Sequence, residues 1–523
     1  MKKIERSAGI LMPIFSLPSP YGIGTLGKAA YDFIDFLAEA GQKYWQMLPA
    51  GPTSYGDSPY QSYSSFAGNP YYVDLDLLAE DGLLTRAELA APEWGGDPSC
   101  VDYGKLYENR LAVLKKAAER GIPRDRAALD AFREEKRSWL PDYALFMALK
   151  KHFSMQAWSQ WPEEDIRLHR PEACARWRER LREDVELYEY IQYLFYSQWK
   201  KLKAYAEAAE VEIIGDVPIY VAMDSADVWA EPQWFQLDSR NVPTEVAGVP
   251  PDYFNEDGQL WGNPLYRWDA MERDGFGWWI RRVEGAFLLF DVLRIDHFRG
   301  LESFYAVPFG EKTARKGRWI KGPGMKFVGV LSSWFYHNAF IAEDLGYMTQ
   351  EVRQLLADSG FPGMKVLEFA FDSREPSDYL PHTYPRNCVC YTGTHDNDTL
   401  AGWPENADPA DLAFAKEYLG LNEEEGFVPG IIRGGMGSVA DLFVCQMQDW
   451  LELGTESRIN VPGNPTGNWT WRMAPGLLTE ELAERIRKMS VRYGRARPKA
   501  PPKEAEPEEE EPGEEPKKEK ETK

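Results

Sequence analysis

The sequence predicts an α/β protein of the (β/α)8 TIM-barrel class, with inserted, partly helical subdomains and a disordered C-terminal tail. Three observations predict it. Short apolar runs of strand length recur along the chain, helical patterns fall between most of them, and four of the runs carry an Asp or Glu at or just past their end. Near-continuous hydrophobicity in a strand suits a parallel sheet covered on both faces. Eight such runs, each followed by a helix, point to a closed barrel.

The expected strands are residues 9–15, 44–48, 211–216, 291–296, 339–343, 365–370, 387–392 and 457–461. Ala30, Phe33, Ile34 and Leu37 repeat at helical spacing after the first strand, and Gly41 stops that helix. Leu187, Ile191 and Leu194 mark the helix leading into the third strand, and Leu482, Ile486, Met489 and Tyr493 the last helix. The gap between the second and third strands is far too long for one βα unit. Residues of about 80–195 are therefore expected to form a mostly helical insertion in a catalytic barrel spanning 1–497. A second insertion, about 220–270, is rich in Pro, Gly, Asn and Trp and reads as a long ordered loop near the barrel mouth. Beyond it all, 498–523 is almost entirely Pro, Glu and Lys, too poor in apolar surface to fold.

Composition narrows the function. A formal charge of −23 over 523 residues argues against a nucleic-acid partner, because phosphate binding needs clustered Lys and Arg. Nineteen Trp, 27 Tyr and 25 Phe supply flat faces suited to stacking on sugar C–H surfaces. The five cysteines (Cys100, Cys174, Cys388, Cys390 and Cys445) are scattered, without a CxxC pair, and support neither a disulfide framework nor a zinc site. No stretch approaches the ~18 consecutive apolar residues of a membrane span. The short apolar start is broken by Pro13 and lacks a cleavage site, so the expected location is the cytoplasm. Gly22, Gly24 and Gly27 match GxGxxG, but Leu17-Pro18-Ser19-Pro20 separates them from the first strand and no acid ends the second. They read as a Gly-rich βα loop.

Asp216, Asp296, Glu343 and Asp396 stand at or just past the ends of the third, fourth, fifth and seventh expected strands. A charge ending an apolar strand is poorly explained by stability. At the C-terminal face of a barrel it is where catalytic groups collect. Glycoside chemistry needs such carboxyls: one ionised to attack the anomeric carbon, one protonated to release the leaving oxygen. Opposite protonation states require different surroundings. Arg294, two residues before Asp296, shares its strand face and keeps Asp296 ionised, which nominates it as nucleophile. Glu343 has no such neighbour and is expected to be the protonated acid. Asp396 would be a third carboxylate holding sugar hydroxyls, with His395 donating to the same ring.

The residues then resemble a known family. The four placements look like the α-amylase clan. The wording Gly215-Asp216-Val217-Pro218, Leu293-Arg294-Ile295-Asp296-His297-Phe298-Arg299-Gly300, Ala342-Glu343-Asp344-Leu345-Gly346 and Gly393-Thr394-His395-Asp396-Asn397-Asp398-Thr399 is similar to the 4-α-glucanotransferases of glycoside hydrolase family 77. Pro59-Tyr60-Gln61-Ser62-Tyr63-Ser64 and Leu260-Trp261-Gly262-Asn263-Pro264 extend the match, which runs from about residue 9 to 495. The Glu/Pro/Lys tail is not part of it. The resemblance implies Asp296 as nucleophile, Glu343 as acid/base and Asp396 as transition-state stabiliser, with Asp398, two residues on, the competing choice for the third role. It further implies Tyr60 stacking on the sugar, Asp216, Arg294 and His395 binding or orienting it, and Trp261 guarding the acceptor side. The implied substrates are α-1,4-glucans: maltooligosaccharides, starch and glycogen. No cofactor is expected, and no metal either, since 252–258 lacks the alternating ligands of a calcium loop. The expected assembly is a monomer or weak homo-oligomer.

Overall fold

The structure, a computed structural model, describes residues 2–497 apart from 55, 252–255, 347 and 465. The tail at 498–523 lies outside the described residues. Twelve strands are defined among the described residues: β1 (Ser7–Leu11), β2 (Tyr44–Gln46), β3 (Glu212–Val217), β4 (Glu245–Val249), β5 (Gln259–Pro264), β6 (Val292–Ile295), β7 (Ser303–Pro308), β8 (Arg318–Lys321), β9 (Ala339–Ala342), β10 (Gly363–Val366), β11 (Cys388–Tyr391) and β12 (Leu442–Gln446).

Eight of them form one sheet in the order β10-β11-β12-β1-β2-β3-β6-β9, and every pairing in it is parallel. The two ends of that sheet meet. The Ala342 N–H donates to the Pro362 carbonyl at 2.9 Å, and the Asp344 carboxylate accepts the Met364 N–H at 2.6 Å. The result is a barrel whose strands are almost wholly buried, as the apolar runs require. Inside, the Tyr391 hydroxyl donates to Gln46 Oε1 at 2.9 Å.

Seven barrel strands overlap the expected runs, β1 only at 9–11 and β10 only at 365–366 because a 3-10 turn follows within each of those runs, and the eighth does not. Residues 457–461 form no strand: their start belongs to a 3-10 turn, Thr455–Ser457, that leads into a loop at the barrel mouth. The closing strand is Leu442–Gln446, all five residues buried between β1 and β11. Five residues are too few for periodicity to separate strand from loop, and Arg458 and Asn460 on the rejected segment have polar tasks described below.

The covering helices form where the spacing places them. Ala30, Phe33, Ile34 and Leu37 are the buried stripe of helix Lys28–Glu39. Leu187, Ile191 and Leu194 are buried along Arg182–Ala208, a helix of 27 residues that delivers the chain to β3. The last helix, Glu480–Arg492, buries Leu482 and Ile486. Just after it the guanidinium of Arg495 donates to the carbonyls of Ser7, Met436, Ser438 and Ala440, tying the end of the barrel chain to β1.

Residues 220–270 hold more order than a loop. β4 and β5 lie there and join β7 and β8 in a four-stranded antiparallel sheet, β5-β4-β7-β8. One pairing partner of β4, β7, lies far along the chain at 305–308, where no local pattern announces it. This sheet matters because β5 carries Trp261.

Candidate active site

The barrel brings the four strand-end acids to one mouth. Asp216 is the fifth residue of β3, its side chain fully enclosed; Asp296 and Glu343 directly follow β6 and β9; Asp396 follows β11 within a short loop. Arg294, on β6, points one Nη at both neighbours: 2.6 Å to Asp216 Oδ2 and 2.9 Å to Asp296 Oδ1. The Tyr60 hydroxyl donates to the same Asp216 oxygen at 2.8 Å and lies 3.4 Å from His395 Nδ1. His395 Nε2 is in turn 3.3 Å from Asp396 Oδ1. A continuous polar chain thus links Asp296, Arg294, Asp216, Tyr60, His395 and Asp396.

Charge in that chain is arranged unevenly. Burial would lower the Arg294 pKa, but Asp216 and Asp296 together hold it well above the ordinary guanidinium value. Burial pushes Asp216 up despite Arg294, with Asp296 adding to the push. Asp216 Oδ1 is buried and has no hydrogen-bond partner among the described residues, a costly state unless a hydroxyl comes to it.

Glu343 is set apart from Asp296 by its surroundings. Burial pushes it up to about 8, and the nearby Asp296 charge adds to that, while Arg294 and two backbone N–H groups pull the other way. Those N–H groups belong to His297, 2.6 Å from Oε2, and Leu345, 2.7 Å from Oε1. His297 itself has a left-handed backbone, with φ of 51°. A non-glycine residue in that region stores about 1–3 kcal/mol of strain, which the surrounding contacts must hold. Burial also pushes the His297 imidazole down to about 4.

Rings line the same cleft. Tyr60 stacks on His395 with centroids 5.0 Å apart, and both rings lie 5.9 Å from Trp469. Trp261, half-buried on β5, meets the His297 ring edge-on at 4.8 Å, which brings it beside Asp296. Residues 252–255, which precede β5, lie outside the described residues.

Of the two acids competing for the third role, Asp396 faces the cleft, with nearly half of its side chain exposed. Asp398 is buried and occupied by structure: it accepts the Thr399 N–H and the Thr455 hydroxyl.

Sequence reading passes over several supporting residues. Asn460 Nδ2 donates to Asp396 Oδ1 at 2.6 Å, and Arg458 donates to the Asp396 carbonyl at 2.6 Å. Both sit on the segment expected to be the eighth strand, so that assignment hid them. Trp469 had no local signal. Glu368 follows β10 inside an expected strand (365–370), and burial with the charges of Asp449 and Asp398 pushes it well above the usual carboxyl range. An acid inside an apolar run is the signal available for it.

The Gly-rich loop binds no phosphate in this arrangement. The Asp74 carboxylate, which accepts the Thr25 hydroxyl at 2.6 Å, fills the space at Gly27 where a Cβ would stand 2.0 Å from it. Among the described residues, no group of three or more His, Cys, Asp or Glu side chains is arranged to hold a metal ion, and no helix is long and apolar enough to cross a membrane. Overnight dialysis against EDTA is expected to leave transfer activity unchanged; a loss restored by Ca²⁺ would refute a metal-free mechanism.

Fold and site together define a (β/α)8 barrel with carboxylates gathered at its mouth, the face where enzymes of this fold carry their active sites. The sequence profile of the 4-alpha-glucanotransferase family, glycoside hydrolase family 77, matches residues 12–479. The chain is 48% identical to the 4-alpha-glucanotransferase of Clostridium butyricum over 92% of its own length and 100% of that protein's. It is 49% identical to that of Thermus thermophilus, covering 93% and 99%. A solved amylomaltase from Streptococcus agalactiae, in complex with acarbose, superposes with a TM-score of 0.92 at 41% identity, covering 94% of this chain and 100% of that one. The chain belongs to the 4-alpha-glucanotransferase family and is an enzyme of the glycosyl-transferring class.

Proposed function

We propose that the protein moves segments of α-1,4-glucan from a donor chain to the 4-hydroxyl of an acceptor glucan or glucose, with retention and through a covalent glucosyl intermediate on Asp296. One observation carries this reading: two neighbouring carboxyls differ in the way the chemistry requires. Asp296 is ion-paired with Arg294, whereas Glu343 is held as a neutral acid up to about pH 8 by burial and by the Asp296 charge.

In the first half-reaction Asp296 attacks the anomeric carbon while Glu343 gives its proton to the departing 4-oxygen. In the second, Glu343 takes a proton from the incoming 4-hydroxyl, which displaces Asp296. Asp396 stabilises the positive charge that develops on the ring. Tyr60 stacks on the sugar whose bond breaks. Asp216, Arg294 and His395 bind or orient that sugar, and the partnerless Oδ1 of Asp216 suits one of its hydroxyls.

Whether water or a glucan completes the reaction decides between hydrolysis and transfer. Water stands at roughly 55 M, so the site must exclude it and hold an acceptor well. Trp261, edge-on to His297 and half-exposed, is the ring on the acceptor side. Trp261→Ala is expected to raise the ratio of hydrolysis to transfer several-fold, read as new reducing ends per glucan transferred; an unchanged ratio would remove Trp261 from this role.

Incubation with pure maltotriose tests the whole proposal. Glucose and longer oligomers at constant reducing ends support transfer. Steadily rising reducing ends mean a hydrolase, and unchanged maltotriose means the site does neither.

A further inference from the structure

We infer that Glu368 is a positioning residue for Asp396, bracing the loop at 393–398 through Asn397 and Thr394. Glu368 follows β10, and its N–H donates to the Thr392 carbonyl at 3.3 Å, placing it beside the end of β11. Its carboxyl lies against the backbone where that loop begins. A Cβ on Gly393 would stand 2.5 Å from Glu368 Oε1, 2.8 Å from Gln446 Nε2 and 3.0 Å from Asn397 Cβ, so only glycine leaves room for the carboxyl.

From there the contacts run to Asp396. The Asn397 side chain packs against the same point of Gly393 as the Glu368 carboxyl, which brings the two side chains together. Asn397 Oδ1 accepts both the N–H and the hydroxyl of Thr394, each at 2.9 Å. With the oxygen so used, the amide NH2 is the end of Asn397 left for Glu368. Thr394 Oγ1 then accepts the Asp396 N–H at 3.3 Å. Asn460 and Arg458 hold Asp396 from the opposite side, at its carboxylate and its carbonyl. Asp396 is therefore clamped, and Glu368 anchors one jaw.

The anchor works as a neutral acid. Around it lie two further carboxyls, Asp398 and Asp449, and one cation, Arg458. Asp449, which accepts the Thr392 hydroxyl and the Leu400 N–H, is itself pushed up to about 7, mainly by burial. Glu368 Oε1 is buried without a partner among the described residues, far less unfavourable for a carboxyl than for a carboxylate. A side chain with the shape of Glu and no charge should therefore do the same work.

This inference rests on reading Asp396 as the carboxylate that stabilises the transition state. Its test compares wild type, E368A, E368Q, N397A and E368A/N397A on maltotriose, with thermal melts of each. A misplaced stabiliser lowers kcat and leaves binding alone, so E368A is expected to lose on the order of 10²-fold in kcat with KM little changed. E368Q is expected to keep nearly all of the wild-type kcat. N397A should resemble E368A, and the double variant should be no worse than the poorer single one, because both cut the same link. Wild-type kcat in E368A, equal damage in E368Q, or multiplying losses in the double variant would each overturn the inference. If E368A does not fold, wild-type kcat in N397A overturns it instead. Failure of wild type to make transfer products would refute the proposed function; wild-type transfer with an unaffected E368A would refute this inference alone.

Discussion

Asp296→Asn is expected to abolish glucan transfer, lowering turnover of maltotriose by on the order of 10⁵-fold while the protein stays folded. The amide is a poor nucleophile, and the other carboxyls described at the mouth are engaged elsewhere: Asp216 is enclosed and tied to Arg294 and Tyr60, Glu343 is bound by the amides of His297 and Leu345, and Asp396 is held by Asn460. The fold should survive because Arg294 keeps its 2.6 Å contact with Asp216 and Asp296 is partly open to solvent. Circular dichroism and a thermal melt check the fold; oligosaccharide chromatography checks the activity. Residual transfer above about a hundredth of the wild-type rate would mean that the covalent step belongs to another group.

The second large effect concerns Glu343 and pH. Its ordinary carboxyl value is 4.5, raised here to about 8, so the proton it must donate is present below about pH 8 and lost above it. Transfer from maltotriose should therefore hold through neutral pH and fall as pH rises through about 8. An unperturbed Glu would lose its proton by about pH 4–5 and could not act as the acid at neutral pH. Glu343→Gln removes both the proton and that alkaline limb, and is expected to cost on the order of 10³-fold or more on maltotriose. A donor whose leaving group needs no proton separates the roles. With α-maltosyl fluoride, Glu343→Gln should still form the covalent intermediate, whereas Asp296→Asn should not. An alkaline limb that persists unchanged in Glu343→Gln would assign it to a different residue.

The parts of this protein that were legible from sequence share one physical property: their signal is local. The acids at 216, 296, 343 and 396 stand out because each breaks an apolar run, and burying a charge needs a reason. The helix stripes of Lys28–Glu39 and Glu480–Arg492 are legible for the same kind of reason, an unbroken 3.6-residue period. What escaped depends on distant partners. β4 lies between β5 and β7, and its β7 partner is nearly sixty residues on. The segment at 457–461 has a strand-like composition, yet its Asn460 and Arg458 are used to hold Asp396. Leu442–Gln446 is short enough to pass for a piece of helix. Glu368 lay in plain view within an expected strand, but its surroundings, Gly393, Asn397, Asp398 and Asp449, are supplied by the next two barrel strands and the loops that follow them.

Mass spectrometry of Glu343→Gln after incubation with α-maltosyl fluoride is the most direct test of covalent transfer. With no base to activate an acceptor, the glycosyl enzyme should accumulate, and digestion should place the added maltosyl group on the peptide containing Asp296. An unmodified protein that has nonetheless released fluoride, or a maltosyl group carried by any other residue, would contradict it.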